Sequence, residues 1–164
     1  MRFLCDDNLG KLAKYLRILG FDTAFHSQIS DPELLRLSAA EERYLLTRNH
    51  KLLESTHPFG IMLIENDEPL RQLSSVIEVL NLYIEPQALF QRCSRCNSVC
   101  RVIDKGMPGD TILPYILKSQ EIIKGCPSCG RYYWKGSHYK KMLTTLENTI
   151  DKKYVRGEWP ADLN

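Results

Sequence analysis

The first half of the chain alternates strand and helix periods of apolar residues. Arg2-Phe3-Leu4-Cys5 is a short apolar run, after which Leu9, Leu12, Ala13, Leu16 and Leu19 recur at helical spacing until Gly20 supplies a stop. Lys11, Lys14 and Arg17 occupy the opposite face of that helix. Phe21 to Phe25 reads as a second strand, and Ser30, Pro32 and Glu33 mark the start of a second helix. Tyr44 to Thr47 and Ile61 to Ile64 read as strands three and four, followed by a helix carrying Leu70, Leu73, Val76, Ile77 and Leu80. The βαβαβα progression predicts an α/β fold with a mostly parallel sheet flanked by helices. No internal repeat or low-complexity tract interrupts it.

Past Pro86 to Gln91, read as the hinge between two halves, the periodicity gives way to paired cysteines. Cys93-Ser-Arg-Cys96 and Cys126-Pro-Ser-Cys129 are two Cys-x-x-Cys pairs, the spacing that lets both sulfurs of a pair reach one tetrahedral zinc ion. Asn97 and Gly130 follow the pairs and tolerate the positive φ that such turns require. The gap from 97 to 125 exceeds the usual spacing, which implies an inserted loop or longer ribbon strands, with Met107-Pro108-Gly109-Asp110 as a loop. The competing readings are two disulfides or one redox pair. Cys100 is an alternative ligand without a partner at two-residue spacing, and Cys5 lies in an apolar strand where a thiol packs. The expected division is an α/β domain over 1–86, a small C-terminal zinc ribbon with a basic aromatic segment over 87–150, and a flexible basic tail over 151–164.

No signal-like start and no apolar stretch of the ~20 residues needed for a membrane span is present, so a cytoplasmic location with reduced thiols and no membrane is expected. Charge divides as sequence pattern does: residues 1–88 carry a formal charge of −4 and residues 89–164 one of +6. A basic half predicts a polyanionic partner, and an acidic pocket beside it predicts a divalent cation.

In a parallel sheet the functional groups gather beyond the carboxyl ends of the strands. Asp6 and Asp7 follow the first strand, Arg48 and Asn49 the third, Glu65 and Asp67 the fourth, and Asp31 opens the second helix. Carboxylates gathered on one rim require a cation such as Mg²⁺ or Mn²⁺, which supports phosphodiester hydrolysis. The bland readings are helix caps for Asp7 and Asp31 and solvated turn positions for Glu65 and Asp67. Asp6, at the strand tip, has no such simple alternative.

Phe3-Leu4-Cys5-Asp6-Asp7-Asn8-Leu9-Gly10-Lys11-Leu12-Ala13-Lys14-Tyr15-Leu16-Arg17, Leu45-Leu46-Thr47-Arg48, Arg92-Cys93-Ser94-Arg95-Cys96-Asn97 and Tyr133-Trp134-Lys135-Gly136-Ser137-His138-Tyr139 resemble, in order and over nearly the whole chain, the Mut-seven C-terminal RNase domain family. The resemblance implies a PIN-like nuclease fold fused to a zinc ribbon, metal-dependent RNA cleavage, Asp6 as a metal-binding acid and Asp31 as a second. One position departs. Where the family reads Leu-Thr-Arg-Asp, this chain has Asn49, whose carbonyl can ligate a hard cation but which adds no charge and cannot act as a base. Asp67, Glu65 or Asp7 would have to compensate.

Arg131, Lys135, Lys140 and Lys141 interleave with Tyr132, Tyr133, Trp134 and Tyr139, so cations can follow phosphates while aromatic faces stack on unpaired bases. His138 stands among them and meets RNA or bonds locally, and Arg48 extends the basic set toward the acids. The alternative is that the aromatics pack the ribbon. The leading expectation is a divalent-metal-dependent ribonuclease whose ribbon binds RNA, with Asp6, Asp7, Asp31 and Asn49 at the catalytic site. A noncatalytic RNA-binding protein is the alternative that Asn49 favours. A phospho-receiver would need an aspartate where Asn49 stands.

Overall fold

The computed structural model describes residues 1–106 and 112–160. The expected loop Met107-Pro108-Gly109-Asp110 lies outside the described residues. Strands β1 (Arg2–Cys5), β2 (Asp22–Phe25), β3 (Tyr44–Thr47) and β4 (Ile61–Leu63) form one parallel sheet in the order β2-β1-β3-β4. Strand β1 is central, with Cys5 opposite Phe25 on one side and Leu46 on the other. Because side chains alternate across a strand, Phe3 and Cys5 join the core on one face while Leu4 joins Leu45 on the other.

Helices α1 (Gly10–Ile18) and α3 (Pro69–Val79) cover the first face through Leu12, Leu16, Leu73 and Ile77, and α2 (Asp31–Ala40) covers the second through Leu34. The connection from β1 to β2 runs outward in one direction. The connection from β2 to β3 passes back over β1. Right-handed crossovers in opposite directions place α1 and α2 on opposite faces, and the winding reverses between β1 and β3.

The second half has the small ribbon expected of it, with two helices added. Strands β5 (Arg101–Val102), β6 (Ile123–Gly125) and β7 (Tyr132–Trp134) form a small antiparallel sheet, and a short helix α4 (Pro114–Ser119) occupies part of the insertion between the cysteine pairs. Ile112, Ile116 and Ile123 give this unit a satellite core. Helix α5 (Ser137–Thr149) then returns to the first domain, where Leu143, Leu146 and Ile150 join the main core. The spacing of Tyr139, Met142, Leu143, Leu146 and Ile150 is the apolar stripe of a helix, a signal that the interleaved cations obscured.

Residues 151–156, expected to fray, are paired instead. Tyr154 is buried in the main core, its carbonyl accepts from Ile84 N at 2.8 Å, and Arg156 N donates to Ile84 O at 3.0 Å. The expected hinge is likewise fixed: Pro86–Ala88 is a 3-10 turn and Phe90 N donates to Ile18 O at 2.8 Å. Gly20 makes this docking possible, since its φ is +97° and a Cβ there would stand 2.7 Å from both Cβ and O of Ala88.

If α5 is part of the main core, Leu146→Ala lowers the unfolding free energy by about 2–5 kcal/mol, the range for a fully buried leucine. Urea denaturation checks this, and a loss below about 1 kcal/mol would show that α5 contributes little to that core.

Candidate active site and metal centre

The reversal of winding leaves a crevice beyond the carboxyl ends of β1 and β3, and Asp6 and Asn49 stand at its two sides. Asp6 is buried to 6% exposure and accepts three hydrogen bonds: from Asn8 N at 3.1 Å, Thr47 Oγ1 at 2.8 Å and Arg48 N at 2.7 Å. The first of these caps the 3-10 turn Asp7–Leu9 that leads into α1. The cap expected of Asp7 therefore falls to Asp6, because the turn begins immediately after the strand tip. Asp7 is exposed and, among the described residues, accepts only from the side chain of Asn8.

Asn49 caps the 3-10 turn His50–Glu54 by accepting from Lys51 N at 3.1 Å, and its Nδ2 donates to Asp31 Oδ2 at 2.7 Å. Its own N–H donates to Thr47 Oγ1 at 3.0 Å. A continuous chain, Asp6–Thr47–Asn49–Asp31, thus links two acids that lie 25 residues apart in sequence. Thr47, a strand-end residue given no role from the sequence, is its central link. Arg48 pairs with Asp67 across a small pocket of about 450 Å³ that Asn8, Gly10 and Lys11 also line. That pairing ties Asp67 to a cation, and Glu65 is exposed without joining the chain.

The sulfurs of Cys93, Cys96, Cys126 and Cys129 lie within 4.8 Å of one another, and could hold a metal such as zinc. Among the described residues this is the one group of three or more Cys, His, Asp or Glu that converges so closely, so the acids of the rim are linked without forming a comparable cluster. Asn97 and Gly130 adopt φ of +72° and +69°, as the knuckle turns require. All six cysteines are free thiols, Cys100 stands outside the four-sulfur group, and Cys5 is fully buried in the core. His138 is exposed and is not in the group either.

Ionisation is unequal between Cys96 and Cys129. Burial opposes the Cys96 thiolate, but hydrogen bonds with Ser98 and with neighbouring sulfurs bring it down to about 6. Burial pushes Cys129 up to about 12, and the sulfurs of Cys93, Cys126 and Cys96 add to that against the backbone of Arg131. Four sulfurs so close cannot all ionise without a cation among them, and the donor set suits a tetrahedral thiolate-binding ion.

The first knuckle is fastened to the sheet. Asn97 Oδ1 accepts from Thr23 N on β2 at 3.0 Å, and Asn97 Nδ2 donates to Asp22 Oδ1 at 2.7 Å. Buried Arg17 of α1 donates to Thr23 O at 2.8 Å, Ser94 O at 3.3 Å and Arg95 O at 2.8 Å. The basic aromatic segment divides in two. Tyr133 is half-buried with its hydroxyl 3.0 Å from Cys93 Sγ, and Tyr139 packs against Phe90 with ring centroids 4.3 Å apart and planes tilted by 43°. Trp134 stays 37% exposed and Arg131 and Lys135 are exposed beside it, while Lys140 is half-buried on α5.

Fold and site together define a doubly wound α/β domain with an acid at its switch point, joined to a four-cysteine ribbon. The chain matches the Mut7-C RNAse domain over residues 1–146 and belongs to that family. It is also 26% identical over 109 residues to Exonuclease mut-7 of Caenorhabditis elegans, covering 60% of this chain and 12% of that protein. The chain therefore spans about an eighth of that relative's length. No solved structure matches it significantly. Among the described residues no helix is long and apolar enough to cross a membrane.

Asp22 supplies a pH test of the knuckle's attachment. Burial raises its pKa, but hydrogen bonds from Arg43 and Asn97 outweigh this and hold it below the ordinary 3.8. A depressed carboxylate contributes stability that is complete above its unfolded value and lost as pH falls through the folded one. Asp22→Asn should cost about 1–2 kcal/mol above pH 4 and progressively less below it, measured by urea unfolding across pH 2–7. A deficit that persisted at pH 2 would contradict the assignment.

Proposed function

We propose that the chain is a divalent-metal-dependent ribonuclease that hydrolyses RNA phosphodiester bonds, with its ribbon as an RNA-binding element. The observation that carries this reading is the Asp6 carboxylate, fixed by three donors at the switch point between β1 and β3. Membership of an RNAse domain family gives the reaction class its support. The name of the nematode relative, an exonuclease, keeps terminal cutting among the activities to be assayed.

Asp6 accepts three hydrogen bonds and so keeps about one carboxylate lone pair for a cation, and exposed Asp31 keeps about three, which suits Mg²⁺ or Mn²⁺ with hard oxygen ligands. Asp6 and Asp31 would hold the ion, which supplies charge neutralisation at the phosphoryl group and a more acidic bound water. The chain's own residues do the positioning. Thr47 and Arg48 N fix the Asp6 carboxylate, and Asn49 orients Asp31 through its amide. Asp7 lies at the same rim, exposed to a substrate. Zinc in the four-cysteine site is structural in this reading, and the six free thiols fit a reducing, cytoplasmic setting.

A second reading, RNA binding without cleavage, is favoured by one contact. Asn49 Nδ2 satisfies Asp31 without any cation, where a carboxylate at 49 would repel Asp31 unless an ion intervened.

Labelled single-stranded and structured RNAs incubated with Mg²⁺ or Mn²⁺ should be cut, internally or from an end, by the purified chain. Asp6→Asn should lose at least about a hundredfold of that rate, with binding retained. Absence of ion-dependent cutting, or equal cutting by Asp6→Asn, rejects the ribonuclease. The companion variant Asn49→Asp should melt lower than the parent without added Mg²⁺ and recover with it. An unchanged response to Mg²⁺ would argue against a cation between positions 31 and 49.

A further inference from the structure

A groove of about 1000 Å³ runs between helix α1 and the ribbon. Lys14 and Arg17 line one wall, and Arg95, Lys124, Arg131 and Lys135 line the other. Among the described residues no Asp or Glu lines it, although the chain as a whole carries 20 of them. The side chains of Lys14, Arg95, Arg131 and Lys135 make no hydrogen bond or ion pair among the described residues. Unpaired cations facing one another across a groove repel, and a polyanion lying between them removes that cost.

Aromatic faces are interleaved with this charge. Phe25 of β2 and Phe90, just past the 3-10 turn Pro86–Ala88, line the groove on one side, and Tyr132 and Trp134 from strand β7 on the other. The Trp134 indole lies directly over Gly136, where a Cβ would stand 2.7 Å from its Nε1. Position 136 thus has no side chain to lift the indole off the groove wall. The two walls hold a fixed separation, because Arg17 donates from α1 to the carbonyls of Ser94 and Arg95, and Arg92 donates to Gly20 O at 3.2 Å.

Gly10 lines both this groove and the small pocket beside Asn8, Arg48 and Asp67. Asn8 N is one of the three donors that hold Asp6. The groove and the small pocket therefore adjoin at Gly10, at the start of α1.

We infer that the groove is a channel for single-stranded RNA, with phosphates following the cations and unpaired bases stacking on the aromatic faces, its open end leading past Gly10 to Asp6. The inference rests on the ribonuclease reading for what happens at that end. A duplex would gain little from the aromatic faces, since its bases already stack on one another.

Fluorescence anisotropy on the full chain, without added divalent ion, decides this with a labelled single-stranded RNA of roughly 12 nucleotides and the corresponding duplex. The single strand should bind at least about tenfold more tightly than the duplex. Lys14→Glu combined with Arg131→Glu should weaken single-strand binding by at least about tenfold. It should also reduce the slope of log affinity against log salt by about 1.4, from roughly 0.7 per lost phosphate contact. Arg71→Glu combined with Lys118→Glu, the same charge change outside the groove, should do far less. Trp134→Ala, which alters no charge, should cost roughly tenfold and stands as the second test should the charge reversal unfold the chain. Equal affinity for duplex and single strand, or a groove variant no weaker than the control, would overturn the channel. Because no divalent ion is added, an inert rim leaves these binding results unchanged, and failed cleavage rejects only the ribonuclease.

Discussion

The guanidinium of Arg17 joins the two halves of this protein. It leaves helix α1 buried, and burial holds its pKa below the usual arginine value while the nearby Cys5, Cys93, Cys96 and Asp22 favour the cation. Three carbonyls, of Thr23, Ser94 and Arg95, repay that burial with hydrogen bonds. One side chain thus touches the edge strand of the sheet and the first cysteine knuckle together. Asn97 completes the attachment by taking the N–H of Thr23, so the knuckle covers the backbone of β2 that would otherwise lie open at the sheet edge. Sheet edge, knuckle turn and groove width are consequences of one set of contacts.

The acid rim rests on a different economy of charge. Asp6 is nearly buried, and its three donors come from the backbone and a hydroxyl rather than from a cation. Asp31 is exposed and is held by an amide. Many of the chain's cations line the groove, which adjoins the small pocket of Lys11 and Arg48 at Gly10. Negative and positive surfaces therefore adjoin without neutralising each other, with Arg48 and Asp67 as the local exception. An exposed pair of that kind contributes little to stability and leaves both side chains available to a ligand.

Much of the architecture was legible from periodicity. All four strands and three helices of the first half fall where the alternation of short apolar runs and helical stripes puts them, most plainly at the central strands β1 and β3, whose burial on both faces demands a nearly continuous apolar run. The two Cys-x-x-Cys pairs, with Asn97 and Gly130 after them, likewise identify the four sulfurs that converge. Misreadings arose where local pattern was ambiguous. Helix α5 was hidden by the cations between its apolar positions, and the stretch after 151 looked polar although Tyr154 is buried beneath it. The cap fell on Asp6 rather than Asp7 because a shift of one residue at the strand end is invisible to composition.

By itself the sequence determined which segments are strands and helices of the first domain, which cysteines gather, and that acids and bases separate into different halves, since these follow from spacing along the chain. Only the tertiary structure decided the strand order, and with it that Asp6 and Asn49 share a crevice bridged by Thr47. It also decided that Arg17, a residue on the polar face of a helix, would become a buried link to a knuckle 77 residues away. Contacts between distant residues depend on how helices cross the sheet and on which edge the ribbon meets, and no local periodicity encodes either.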